Sequence, residues 1–414
     1  MSTKRIAIAE LQVGMFVTGT DRSWFRTPFL RRKYSIDSTM DIERLKRSGV
    51  TAVDIDTSRG RDVSADEETP ELLDMATDST LSGPAPSLIA LPKSLEGMAK
   101  TLKEATAARQ KLERTVHCLF DNISATGAVD PQEAHEAAQE IAIVTRTLTN
   151  PALFAAMSRA RDTSPQLGQH AMSVCTFSMI LGQALGLNLL ALQELAIGAL
   201  LHDVGLVRVP SALLARVHNS SRPLAAKERK LYEEHGKRGA VDIERQGGFA
   251  LDVRRIVAEH HVYLNRTGYP DDLHPEWICQ ASRIVMVADQ YDELISGFGG
   301  RTPVPPHEAL QQLYRLAKEG TLDVKLVQLF IKRVGVFPVY SAVQLNTGER
   351  GVIADLNPEH LHLPVIYVTH AANGESLPMP VRVDLMQQDP SGPVRSIAHV
   401  LKAADELPAF GADA

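Results

Sequence analysis

Apolar positions recur every three to four residues through the middle of this chain and every second residue near its two ends, which predicts a helical centre flanked by small sheets. Between 93 and about 126, Leu95, Met98, Leu102, Ala105 and Leu112 form one stripe, and after a break at Gly127 the same spacing continues from Pro131 to Met157. Further helical runs are expected at His170–Leu181, Leu192–Leu201, Ala226–Glu234, Val253–Glu259 and Ile284–Ala288. Short strand-like runs occur at Lys4–Ile8, Met15–Thr18 and Val50–Ile55, with Asp41–Gly49 helical between them, and again from about 336 to 385, as in Pro364–Val368. Asp, Glu, Ser, Thr, Pro and Gly dominate Ser58–Pro92, the signature of a linker.

The expected fold is therefore mainly α. It comprises a small α+β N-terminal domain at 1–65, a flexible linker at 66–92, a helical connector at 93–158 and a helical domain at 159–345. A small β segment at 346–385 packs on that domain, and a C-terminal helix and tail fill 386–414. The aromatic cluster Trp24–Phe29 reads as core of the first domain, with a docking surface as the other reading. An amphipathic connector must bury its stripe on a neighbouring domain or on a second copy of the chain, so a homodimer through 93–158 is one expectation.

Composition narrows the partners. The 414 residues, 44% hydrophobic and 23% charged, suit a globular protein of two or three folding units. A net charge of −6 supplies no basic field, so neither a nucleic acid polymer nor a membrane is expected as a partner. Cys118, Cys175 and Cys279 are scattered and odd in number, as reduced thiols are. With no apolar run approaching about 20 residues and no signal-peptide order at the N-terminus, a cytoplasmic protein is expected.

The candidate chemistry lies at the ends of the predicted helices. His202 and Asp203 close the run Leu192–Leu201; His170 shares an apolar face with Val174, Phe177 and Leu181; His235 follows Leu231 by four; His260 and His261 end Val253–Glu259; Asp289 closes Ile284–Ala288. Each alone is more often a satisfied core residue. Together, five histidines and two aspartates at inward-facing helix ends match a site for divalent metals. Seven ligands exceed one cation, so a dinuclear centre with Asp203 bridging is expected, and such centres displace phosphoryl groups in line. Adjacent His260 and His261 diverge by about 100° on a helix, so they share a cavity only where its wall wraps the helix end.

His202-Asp203-Val204-Gly205, His235-Gly236, His260-His261, Gly268-Tyr269-Pro270 and Ala288-Asp289-Gln290-Tyr291-Asp292, in that order, resemble the motifs of the HD-GYP proteins, a branch of the HD superfamily of metal-dependent phosphohydrolases. The segment holding Trp24, Pro28-Phe29 and Val53–Asp56 is similar to a small domain often found in front of them. The resemblance implies hydrolysis of the bacterial second messenger cyclic di-GMP to pGpG and onward to GMP by a metal-activated hydroxide, with His202 and Asp203 at the catalytic heart. It implies one iron or manganese ion on His170, His202, Asp203 and Asp289 and a second on Asp203, His235, His260 and His261. Tyr269 and Arg301 are the implied substrate contacts, Arg208 is the candidate that would compensate for the missing cation at Leu206, and other signalling proteins are the implied partners.

Departures thin the phosphate-binding groups. Leu206 stands where many relatives have lysine, Phe298 where they have arginine, Val262 where they have glutamate, and Asn265-Arg266-Thr267 where they have Asp-Gly-Ser. Gln166 replaces a glutamate that holds a third metal in some relatives, so two ions are expected. Two alternatives to the phosphodiesterase therefore stand: a catalytically weak, metal-bound cyclic di-GMP receptor, and a phosphohydrolase acting on another nucleotide.

Overall fold

A computed structural model of the chain describes residues 3–8, 11, 15–20, 34–36, 42, 45–46, 50–56, 59, 94–158, 167–219, 224–388, 392 and 394–401. Trp24–Phe29, the linker at 66–92, Gln166 and the chain beyond 401 lie outside these residues. Two compact units are present, Met1–Asp74 and Met75–Ala414.

In the first unit, β1 (Thr3–Ala7), β2 (Phe16–Thr20), β3 (Tyr34–Ser35) and β4 (Ala52–Asp56) form an antiparallel sheet in the order β1-β4-β2-β3. Alternation turns Val53 and Ile55 inward onto Ile6, Val17, Ile36 and Leu45.

The second unit is helical. α1 (Leu95–Thr126) starts at Ser94, whose hydroxyl accepts from the Gly97 N–H, and stops at Gly127, which takes the left-handed conformation a helix terminus of this kind requires. α2 (Pro131–Thr147) and α3 (Asn150–Ser158) follow, then α4 (Leu167–Ala184) and α5 (Leu189–Leu201), a 3₁₀ turn at Val204–Arg208, α6 (Ser211–Asn219), α7 (Ala226–Glu233), α8 (His235–Gln246), α9 (Leu251–Glu259) and α10 (Gln280–Ser296). A 3₁₀ turn at Phe298–Gly300 precedes α11 (Pro306–Lys318) and α12 (Val324–Val334). α4 is apolar on every side and buried on every side from His170 to Gly182, which makes it the central helix; α5 and α10 flank it, and α9 packs on α5. The stretch 189–208 is long and apolar enough to pass for a membrane span, contrary to the expectation above, but most of it is buried among these helices.

The connector is not a separate rod. α1 packs on α2, α3 and α4, and α2 on α4 and α5. Its stripe, including Met98, Leu102, Leu112, Val116 and Ile123, is thus covered within the chain, which removes the reason for expecting a homodimer there.

The β segment also differs from expectation. β5 (Ala342–Leu345), β6 (Arg350–Asp355), β7 (Val365–His370), β8 (Ser376–Asp384) and β9 (Ile397–Val400) form an antiparallel sheet in the order β8-β7-β6-β5-β9. It packs on Met98, Leu102 and Ala105 of α1 and Ala152 and Ala156 of α3, the connector helices. Where a C-terminal helix was expected after 386, the described residues contain β9 instead. The reason lies about 50 residues upstream: the Asn346 side chain bonds Val394 O and Ser396 N, and Arg395 pairs with Glu349 at 2.7 Å.

Two expected outcomes follow. A Cβ at Gly205 would lie 2.0 Å from the carbonyl oxygen of His235, so Gly205→Ala must push α8 away and should cost about 1–3 kcal/mol in denaturant unfolding. Arg395, through its hydrogen bonds, holds the Glu349 carboxyl below the usual range. A depressed carboxylate adds stability above its unfolded pKa and loses it as pH falls, so protection of the β9 amides, corrected for intrinsic exchange, should drop on acidification below about pH 4. Both side chains are partly exposed, so the change should stay under about 1 kcal/mol.

Candidate metal centre

Five helices deliver seven side chains to one buried point. His170 sits in the first turn of α4, His202 and Asp203 directly after α5, His235 at the start of α8, His260 and His261 directly after α9, and Asp289 inside α10. All are nearly or fully shielded from water, from 0% exposed for His170, His202 and His235 to 6% for His261. Because α9 ends at Glu259, His260 and His261 escape the divergence of a continuous helix; their rings lie 4.1 Å apart on one cavity.

The ring orientations are set locally. His202, His235 and His260 each direct Nδ1 at the carbonyl three residues earlier, Ala199 at 2.8 Å, Tyr232 at 2.8 Å and Val257 at 3.0 Å. These carbonyls lie at helix ends, where acceptors lack intrahelical partners, so an Nδ1–H satisfies them and fixes the tautomer that leaves Nε2 bare. His170 directs Nδ1 at Asp292 Oδ2, 2.8 Å away, to the same effect. Its ring is stacked flat on Phe298, centroids 3.9 Å apart.

The bared nitrogens then face one another and two carboxylates. His170 and His202 approach Nε2 to Nε2 at 3.1 Å, and so do His235 and His260. Asp203 lies between the pairs with one oxygen for each: Oδ1 is 3.0 Å from His235 and 3.4 Å from His260, while Oδ2 is 3.6 Å from both His170 and His202. Asp289 Oδ1 is 3.1 Å from His170, and its Oδ2 is 3.8 Å from His261 Nδ1. Asp203 Oδ1, Asp289 Oδ2 and His261 Nδ1 are buried without a hydrogen-bond partner.

Such a set of acceptors fits cations. Two bare imidazole nitrogens at hydrogen-bond distance repel unless a proton or a metal lies between them, and buried orphan acceptors are costly. The donors divide into Asp203, His235, His260 and His261 on one side and His170, His202 and Asp203 on the other, with Asp203 common to both. Within each side one imidazole is pushed up, His170 or His235, and another down, His202 or His261. Burial opposes charge on His170, but Asp289 and Asp292 outweigh it and raise its pKa to about 10. Burial takes His202 down to about 4 and His261 well below its ordinary value. Burial would raise Asp203, but His202 and His235 hold it well below the carboxylate range.

Residues 156–326 match the family described as HD domain, and residues 3–134 match a domain of unknown function, DUF3391. Residues 156–326 form an HD domain. It is 28% identical over 92% of its length to the cyclic di-GMP phosphodiesterase PA4108 of Pseudomonas aeruginosa, spanning 88% of that protein. It is 27% identical over 42% of its length to the 3′3′-cGAMP-specific phosphodiesterase 2 of Vibrio cholerae, of which it spans only 32%. Among solved structures, the HDG"Y"P protein Bd1817 of Bdellovibrio bacteriovorus is 20% identical, with 80% of this chain and 98% of that one covered at a TM-score of 0.45. The HD superfamily is metal-dependent, and the His/Asp cluster lies within the matched segment.

Around the HD centre the three expected substrate contacts part company. Tyr269 stands against it, its ring 4.6 Å from His261 and its N–H donating to His261 O at 2.9 Å. Arg301 is one layer out, bonded to Gln290 Oε1 and Glu293 Oε2, each at 3.0 Å. Arg208 is engaged elsewhere, with Nε on Asp242 and Nη2 on Gly127 O. It does line, with Tyr269 and Lys237, a cleft of about 1380 Å³ beside the centre. Leu206 does not face that cleft; it is buried in one apolar cluster with Phe298, Val209 and Leu213.

Asp292 was missed from sequence, although it lies three residues after Asp289 on one face of α10, a spacing that marks neighbours. It holds His170 as second carboxylates hold metal-bound histidines, so Asp292→Asn should weaken metal retention on that side by about 10–100-fold in chelator competition, with the helical content unchanged.

Proposed function

We propose that this chain is a metal-dependent phosphodiesterase that hydrolyses cyclic di-GMP to linear pGpG and onward to GMP. The observation that carries the reading is the division of Asp203, one oxygen toward His235 and His260 and the other toward His170 and His202. Two divalent ions suit that arrangement, with His170, His202, Asp203 and Asp289 holding one and Asp203, His235, His260 and His261 the other. Iron or manganese fits histidine and carboxylate donors. When bound, such a pair lowers the pKa of water and neutralises charge on phosphoryl oxygens.

The protein's own residues supply position and shelter. Ala199 O, Tyr232 O, Val257 O and the Asp292 carboxylate hold four rings at fixed angles. Phe298, stacked flat on His170, covers that ring. The cleft bounded by Tyr269, Arg208 and Lys237 is large enough for the half of a cyclic dinucleotide that lies away from the reacting phosphorus. Similarity to a named cyclic di-GMP phosphodiesterase over nearly the whole chain supports this substrate. A cytoplasmic location and signalling proteins as partners belong to the same reading.

A second reading rests on Leu206 and Phe298. Without the cations of its relatives at these positions, the site has fewer charge-assisted contacts for phosphate, which favours a slow receptor or a different nucleotide. Similarity to a cGAMP-specific enzyme supports the latter.

Purified protein should contain about two equivalents of metal, in line with dinuclear ligation. It should convert cyclic di-GMP to pGpG and GMP on chromatography and lose both metal and turnover on chelation or in Asp203→Asn. Fully metallated protein that binds the dinucleotide without cleaving it establishes the receptor instead, and cleavage of another cyclic dinucleotide with cyclic di-GMP inert establishes the third assignment.

A further inference from the structure

Six cationic side chains line the cleft beside Tyr269, and four of them are already engaged. Arg208 is bonded to Asp242 and to Gly127 O, Lys237 pairs with Asp272 at 2.6 Å, Arg238 pairs with Glu234 at 2.6 Å, and Arg245 lies 3.6 Å from Asp242. The other two, Arg229 and Lys230 of α7, are exposed and have no ion-pair partner among the described residues. With Ala226, Glu233 and Lys237, three to four residues apart, they form one helical face that continues from α7 into α8 and makes one wall of the cleft; residues 267–271 line it as well. Of the four carboxylates in the lining, Glu234 and Asp242 are covered by the pairs just named, which leaves Glu233 and Asp271. A cationic surplus therefore gathers here in a chain whose net charge is −6.

The cleft reaches the clustered histidines and aspartates through two of its parts. Tyr269, which lines it, has its ring centroid 4.6 Å from that of His261 and 5.9 Å from that of His235. The wall bearing Arg229 and Lys230 is joined to His235 itself, whose Nδ1 bonds Tyr232 O at the end of α7. Lys230 precedes His235 by five residues, at most about 7.5 Å along a helix axis.

A cyclic dinucleotide carries two phosphodiesters on opposite sides of one ring. When one meets the metals, the other remains anionic beyond their reach and needs a counter-charge of its own. Leu206 and Phe298 supply none. A guanidinium and an ammonium free of carboxylate partners can supply charge-assisted hydrogen bonds to it without breaking an existing pair.

We infer that Arg229 and Lys230 bind the second, non-reacting phosphate of the cyclic dinucleotide and so set a preference for a two-phosphate ring over a single diester. The inference rests on the phosphodiesterase reading. The charge of that phosphate does not change during hydrolysis, so the contact is equally strong in the ground and transition states and acts on KM, not on kcat.

The test compares metal-loaded full-length wild type, Arg229→Gln, Lys230→Gln, the double variant and the charge-conserving pair Arg229→Lys with Lys230→Arg. Substrates are cyclic di-GMP and bis(4-nitrophenyl) phosphate, which has a single phosphate. Each single Gln variant should raise KM for cyclic di-GMP about 5–10-fold and the double variant about 30–100-fold, with kcat within about twofold. The charge-conserving pair should recover most of that loss, and KM for the aryl diester should not move. Added salt should raise KM for cyclic di-GMP more steeply in wild type than in the double variant. An unchanged KM in the double variant, equal rises on both substrates, or a loss confined to kcat overturns the role of Arg229 and Lys230 and leaves the phosphodiesterase reading standing. If metal-loaded wild type leaves cyclic di-GMP intact, the substrate assignment falls, and calorimetric binding of cyclic di-GMP decides the two cations: weaker binding in the double variant upholds them and equal binding overturns them. Wild type that neither cleaves nor binds cyclic di-GMP overturns both.

Discussion

Two pairs of imidazole nitrogens held 3.1 Å apart, with the Asp203 carboxylate between them, form an arrangement that protein alone stabilises poorly. Their Nδ1 atoms are committed to helix-end carbonyls and to Asp292, so the Nε2 atoms all face inward among the carboxylates. Buried acceptors of this kind each lose hydration without a compensating bond. A cation relieves all of them together. Around that requirement the helical unit is ordered: α4 and α10 approach closely enough to bring Asp292 onto His170, and the 3₁₀ turn after Asp203 fits beneath α8 because Gly205 has no side chain.

The seven clustered side chains were legible because polar residues at the ends of apolar helical runs are conspicuous, and five such ends with the same chemistry exceed what packing explains. Three strands of the first sheet were legible from short apolar runs and alternation, while β3, only two residues long, was not. What escaped depends on distant partners. Arg208 was read as a substrate contact, but Asp242 and Gly127, 34 and 81 residues away, claim its guanidinium. The chain after 386 has no period that marks β9 as a strand; Asn346 and Glu349 decide it from across the sheet. The connector looked separable because its stripe is regular, yet regularity does not say which surface covers it.

Phe298 shows how a substitution can be misread as a simple loss. In sequence it is an absent cation. In the fold it is a flat support for His170, a neighbour for Leu206 and a contact for His218. Replacing two cations by residues of one apolar cluster trades long-range attraction of phosphate for a drier and more rigid wall, which raises the worth of every remaining polar group beside the centre.

His170 and Asp289 bracket the ligand set, and the segments between them fold as five separate helices. An ion joining them acts as a crosslink closing loops of many tens of residues, comparable to a set of long-range disulfides that form only when the tertiary structure is complete. Helix α9 cannot leave α5 without surrendering His260 and His261, nor α8 without His235. Metal bound there would govern not only equilibrium stability but the rate at which this unit opens, as ligand exchange would have to precede opening.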